Sequence, residues 1–158
     1  MGQTLENLLQ DFPDESRIWL YQSNKALNKE EIQKIETELV EFVYGWAAHG
    51  NQLFASAKVL NPYFILVAVN DTMVPPSGCS IDASVHKMKD LGRLLNIDFF
   101  NRMNVVISSD NEPKMIHFSE LSDHKESLLY DPLISTLGEL RNNWPRPIAK
   151  SSLAQMLA

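Results

Sequence analysis

Between residues 28 and 46, apolar side chains recur at helical spacing. Ile32, Ile35, Leu39, Phe42, Val43 and Trp46 fall on one helix face. Asn28-Lys-Glu-Glu31 opens this run with the form of a capping box, Asn28 accepting from a free backbone N–H and Glu31 reaching back. The pattern predicts a helix that ends near His49-Gly50, where glycine tolerates the left-handed cap conformation. Residues 53–60 switch to a period of two, with Leu53, Ala55, Ala57 and Val59 set against Phe54, Ser56 and Lys58. Asn61-Pro62 is a turn signal, and residues 63–69 follow with no polar position, so the two runs predict a hairpin.

The same reading extends over the rest of the chain. Leu5, Leu8, Leu9 and Phe12 predict a short amphipathic helix over 3–12, stopped by Pro13. Residues 17–23 read as a strand. After a loop containing Pro75-Pro76, a second helix is expected to open near Ser80, burying Ile81, Val85, Met88, Leu91 or Gly92, and Leu95. Strands follow at 103–108 and 114–118 around an Asp110-Asn111-Glu112-Pro113 turn, then a helix at 119–129. Pro132, Pro145 and Pro147 break up an irregular arm over 130–158, with a short final helix at 152–157. The chain thus reads as one α+β domain over 1–158 with its core at about 17–118. The element order is the ferredoxin-like βαββαβ sandwich with one added hairpin strand, and a three-layer arrangement with a different strand order is the competing topology.

A two-layer sandwich leaves one sheet face wet, and its strands then alternate. Residues 63–69 do not alternate, so both faces of that strand should be covered. Either the arm does this, through Leu133, Leu137, Leu140 and Trp144, or a second copy of the chain does.

Composition narrows the field. With 158 residues, 44% hydrophobic and 22% charged, the chain is long enough to bury a core. Its 14 basic and 20 acidic side chains leave a net charge of −6 and no clustered basic stripe, which argues against nucleic acid as a partner. One cysteine, Cys79, excludes an intrachain disulfide and a four-cysteine zinc site. The first residues lack the basic and apolar regions of a secretory signal, and the longest apolar run is too short to span a bilayer. The expected location is the cytoplasm, away from membranes.

One segment combines several chemical handles. In Ser77-Gly-Cys-Ser-Ile-Asp82, Cys79 stands beside a helix start, whose dipole and free N–H groups favour a thiolate or a small anionic ligand. Gly78 permits close approach, Ser77 and Ser80 supply hydroxyls, and Asp71 and Asp82 are candidate acid, base or orienting groups. His49, at the expected end of the first helix, is the candidate base for Cys79. The competing reading is structural, with Ser80 as the helix cap, Asp82 complementing the dipole and Cys79 a small buried hydrophobe. No metal-ligand spacing and no cofactor motif is present. Gly45-Trp-Ala-Ala-His-Gly50-Asn-Gln is no phosphate loop: the lysine is missing and Asn51 and Gln52 follow the second glycine. An RNA-recognition sheet is also disfavoured, because Tyr63 and Phe64 face opposite sides and the basic residues of that motif are absent.

Ile18-Trp-Leu-Tyr-Gln22, Trp46-Ala-Ala-His-Gly50, Ser77-Gly-Cys-Ser-Ile-Asp82 and Ile97-Asp-Phe-Phe-Asn-Arg-Met103 together resemble a small family of uncharacterised bacterial proteins. Its members often carry the label "ABC transporter ATPase", which the missing phosphate-loop lysine and the short chain contradict. The resemblance spans residues 17 to about 118. It implies no settled activity, and singles out Cys79, Asp82, Trp46 and His49 as a group. The leading expectation is a non-enzymatic interaction or small-ligand-binding domain that forms a homodimer through a sheet face or the arm. The alternative is a thiol-dependent enzyme using Cys79.

Overall fold

The computed structural model describes Leu5 and residues 8–157. The elements run β1 (Arg17–Gln22), α1 (Lys29–Tyr44), β2 (Ala47–Ala48), β3 (Asn51–Gln52), β4 (Ala55–Leu60), β5 (Phe64–Val69), α2 (Gly78–Leu95), β6 (Asn104–Ser109) and β7 (Glu112–His117). A 3-10 segment, Phe118–His124, leads to β8 (Leu128–Leu129), α3 (Leu137–Asn142) and β9 (Arg146–Pro147). The fold is α+β.

The capping box at Asn28 forms as expected: Glu31 N–H donates to Asn28 Oδ1 at 2.8 Å, and Asn28 N–H donates to Glu31 Oε1 at 3.0 Å. That backbone bond, with Lys25, holds the Glu31 carboxyl below its ordinary pKa. The far end of α1 differs from the expectation. The helix stops at Tyr44, Gly45 takes the cap, and Trp46 lies beyond it. His49 and Gly50 both adopt positive φ, but as the two-residue turn of the small β2–β3 hairpin. Trp46 keeps helical spacing in the sequence while lying in the link between α1 and β2.

The hairpin β4–β5 forms as read, and β5 lies between β1 and β4 with both pairings antiparallel. This is the arrangement of a split βαβ unit, β1 and β4 flanking a third strand. The ferredoxin-like order would next place β6 beside β1. Instead β6 pairs with β7 and β8, in a second sheet ordered β7-β6-β8-β9. The β6–β7 turn is the pair Asp110-Asn111, both with positive φ, and Pro113 is accommodated because β7 is an edge strand.

All six residues of β5 are buried. Ile65, Val67 and Val69 face Ile35 and Leu39 of α1 and Met88 and Leu91 of α2. On the other side Phe64, Leu66 and Ala68 meet Leu137, Leu140 and Trp144 of the arm, together with Leu8, Phe12 and Val106. The arm therefore covers the second face itself, and the case for a second copy on that face falls away. Leu133, expected among the covering residues, is instead 56% exposed.

Two polar anchors hold this cover. The guanidinium of Arg141 donates to the carbonyls of Leu8, Leu9 and Phe12 at 2.6–3.0 Å and pairs with Asp14 at 2.8 Å. Asp131, 2% exposed, accepts from the N–H groups of Leu133 and Ser152. The helix expected over 3–12 lies partly outside the described residues. Its described part, Leu5 and residues 8–12, forms turns with bonds to the third residue back, and the carbonyls of Leu8, Leu9 and Phe12 satisfy Arg141. The helix expected at 119–129 is replaced by the 3-10 segment and β8, and the final one by a 3-10 turn at Ala154–Leu157.

Candidate functional site

The β2–β3 hairpin and the start of α2 meet through Trp46. Its indole is 3% exposed, and Nε1 donates to the Ser80 carbonyl at 2.8 Å. Phe42 and Trp19 pack against the ring at 5.2 and 6.3 Å between centroids. Above it lies a hollow of about 580 Å³ lined by Trp46, His49, Ser77, Cys79, Ser80 and their neighbours. Thus His49 and Cys79, thirty positions apart in the chain, border one depression.

The helix start is built differently from the expectation. Ser77, not Ser80, is the N-cap, and α2 begins at Gly78. Ser77 Oγ accepts from Ser80 N–H at 3.1 Å, while Ser80 Oγ accepts from Ser77 N–H at 2.7 Å and donates to its carbonyl. Both hydroxyls are therefore committed to the capping box. Of the first-turn donors, the N–H groups of Gly78 and Cys79 remain without an internal partner among the described residues. Cys79 is exposed, which overturns its reading as a buried hydrophobe. No hydrogen bond among the described residues involves the side chain of Cys79, His49, Asp82 or Asp71.

Three sequence candidates stay outside the hollow. Asp82 is exposed further along α2, and Gly78 does not border the depression. Asp71 sits in the turn after β5, where the neighbouring Asn70 does the structural task, accepting from Thr72 N–H at 3.2 Å and from its hydroxyl. Among the described residues no group of three or more His, Cys, Asp or Glu side chains could hold a metal ion, and no helix is long and apolar enough to cross a membrane.

A second surface went unseen in the sequence. Val40 and Tyr44, 67% and 81% exposed, stand one helical turn apart on α1, off its buried stripe. With Phe54 and Met73, also exposed, they line a groove of about 590 Å³ along β4. Two apolar residues at i and i+4 off the core face were the available signal.

The β4 backbone lies open beside this groove. Asn70 N–H donates to the Phe54 carbonyl, so the even members of β4 form the hydrogen-bonded pairs with β5. Ala55, Ala57 and Val59 consequently turn their N–H and C=O groups outward. Glu36 Oε2 accepts from Val59 N–H at 3.3 Å, and no other hydrogen bond among the described residues reaches that edge.

No protein-family model matches the chain, and no curated protein or solved structure matches it either.

Proposed function

We propose that this chain is a non-enzymatic interaction domain that pairs with a second copy of itself through the edge of β4. The observation that carries this is the coincidence of an unpaired backbone edge with the exposed apolar residues Val40, Tyr44, Phe54 and Met73. A two-fold axis at Ala57 makes the edge self-complementary: each Ala57 N–H meets the other copy's Ala57 carbonyl. In that register Lys58 stands opposite the partner's Ser56, so the two lysines do not confront each other. Small side chains at Ala55 and Ala57 allow close approach, and Glu36 ends the free edge at Val59. The architecture reads as a ferredoxin-like unit whose fourth strand has separated into the second sheet, and pairing at β4 would continue the first sheet across two copies.

Sedimentation velocity tests this. The unmodified chain should dimerise in the micromolar range, and Val40→Glu with Tyr44→Glu should leave a folded monomer. Ala57→Pro should do the same, because it removes only an outward donor. A native chain that stays monomeric at the highest soluble concentration removes the proposal.

One observation favours a second reading: His49 and Cys79 border the same hollow, and Cys79 is exposed. A thiol-dependent activity, or capture of a small anion at the Ser77–Asp82 helix start, would use that depression. Against it stands the absence of a hydrogen bond from His49 to Cys79. Alkylation of Cys79 at neutral pH no faster than that of free cysteine, unchanged in His49→Ala, would dispose of the thiol chemistry.

A further inference from the structure

The opposite edge of the same sheet carries a different opening. Ser23 N–H donates to the Tyr63 carbonyl, so the odd members of β1 form the hydrogen-bonded pairs with β5, and Ile18, Leu20 and Gln22 face outward. The arm ties one end of this edge, where Ile18 N–H donates to the Ser135 carbonyl at 3.0 Å. The start of β6 ties the other, where Gln22 Nε2 donates to the Asn104 carbonyl at 2.9 Å. Between these ties neither the N–H nor the C=O of Leu20 has a partner among the described residues. Leu20 borders a cleft of about 500 Å³ between β1, the loop after α2 and the arm.

The charge of that cleft opposes the charge of the chain. Among the described residues Arg17 and Arg102 are its only charged lining residues, in a protein of net charge −6. Both are exposed, and neither joins an ion pair among the described residues. Arg17 lies over the Trp19 ring at 4.9 Å. Phe100 and Leu133, 40% and 56% exposed, add apolar contact to the same cleft.

We infer that this cleft binds a short, extended, acidic peptide segment, which bridges to Leu20 through one main-chain donor and one main-chain acceptor. The backbone of an edge strand calls for an amide partner that offers both, which a peptide has and a fatty carboxylate lacks. The guanidinium groups call for carboxylates. From Ile18 to Gln22 the edge measures about 13 Å, so the segment in contact is only a few residues long. This site is separate from β4 and does not depend on self-pairing.

The test titrates the intact chain with acetyl-Val-Asp-Val-Asp-amide, read by the Leu20 amide resonance and by tryptophan fluorescence. Binding should shift that resonance and slow its hydrogen exchange. A lysine-for-aspartate peptide, a peptide N-methylated at its central valine, and the Arg102→Glu protein should each bind about tenfold more weakly or worse. Arg102→Glu should leave sedimentation behaviour unchanged. An unperturbed Leu20 amide at millimolar peptide overturns the inference. So does equal binding of the lysine or N-methylated peptide, or displacement of the acidic peptide by dodecanoate at equal affinity.

Discussion

The two faces of β5 are covered by opposite means. On one side Ile65, Val67 and Val69 meet the regular stripes of α1 and α2, with buried polar contacts between Tyr21 and Ser84 and between Trp46 and the Ser80 carbonyl. On the other, Phe64, Leu66 and Ala68 meet an arm with a single six-residue helix. Helices satisfy their own backbone, so they need only an apolar stripe to dock. An irregular arm must find other partners for its backbone, and here Asp131 and Trp144 supply some of them, while Arg141 satisfies the carbonyls of the N-terminal turns packed beside the arm. The helix face depends chiefly on area, while the arm face depends on area plus the polar contacts that satisfy irregular backbone. The two faces should therefore fail differently.

The largest effect is expected at Trp144. Its ring packs on Phe64 and Tyr130 at centroid distances of 5.0 and 4.8 Å, and Nε1 donates to the Asp131 carbonyl. Trp144→Ala should cost about 3–5 kcal/mol in urea unfolding, because a cavity and an unpaired carbonyl appear together. If the arm were merely draped on the sheet, the loss would stay near that of an exposed residue. Arg141→Met should cost less, about 2–3 kcal/mol, since the aliphatic stem is kept while the carbonyls of residues 8, 9 and 12 lose a shared donor. Hydrogen exchange should then rise first in residues 8–16, with α1 and α2 still protected. Uniform loss of protection would show that the two faces are one cooperative unit after all.

What the sequence disclosed follows this same division. The cap at Asn28, the β4–β5 hairpin and the Asp110-Asn111 turn rest on neighbours a few residues apart, and each was legible. The end of α1 was not: Trp46 sits in helical register, and nothing local distinguishes a cap at Gly45 from one at Gly50. The arm carries no period, because Arg141 and Asp131 act on residues far away in the chain or on bare backbone. At the candidate site, residue types pointed to Cys79 and His49, but their shared hollow depends on Trp46 reaching Ser80. The open edges at Ala57 and Leu20 depend on which strands end the sheet and on the phase of their hydrogen bonding, which a strand's own side-chain pattern does not disclose.

The smallest effect separates the faces by pH. Tyr21, on the helix face, has its phenol pKa raised by burial, with the Ser84 hydrogen bond at 2.7 Å acting in the opposite direction. Burial likewise raises that of Tyr130, on the arm face. A raised phenol pKa means that the neutral form is favoured in the fold. That stability is intact below the unfolded value of about 10 and is lost as pH climbs from there toward the folded value. Tyr21→Phe should cost about 1 kcal/mol at neutral pH, from the lost bond to Ser84, and should flatten the alkaline decline. Tyr130→Phe should flatten it too, but by less, as Tyr130 is only half-buried. Denaturant midpoints between neutral pH and the alkaline limb decide the matter. A decline that neither substitution flattens would mean that deprotonation acts elsewhere, and that neither face owes its alkaline limit to a buried phenol.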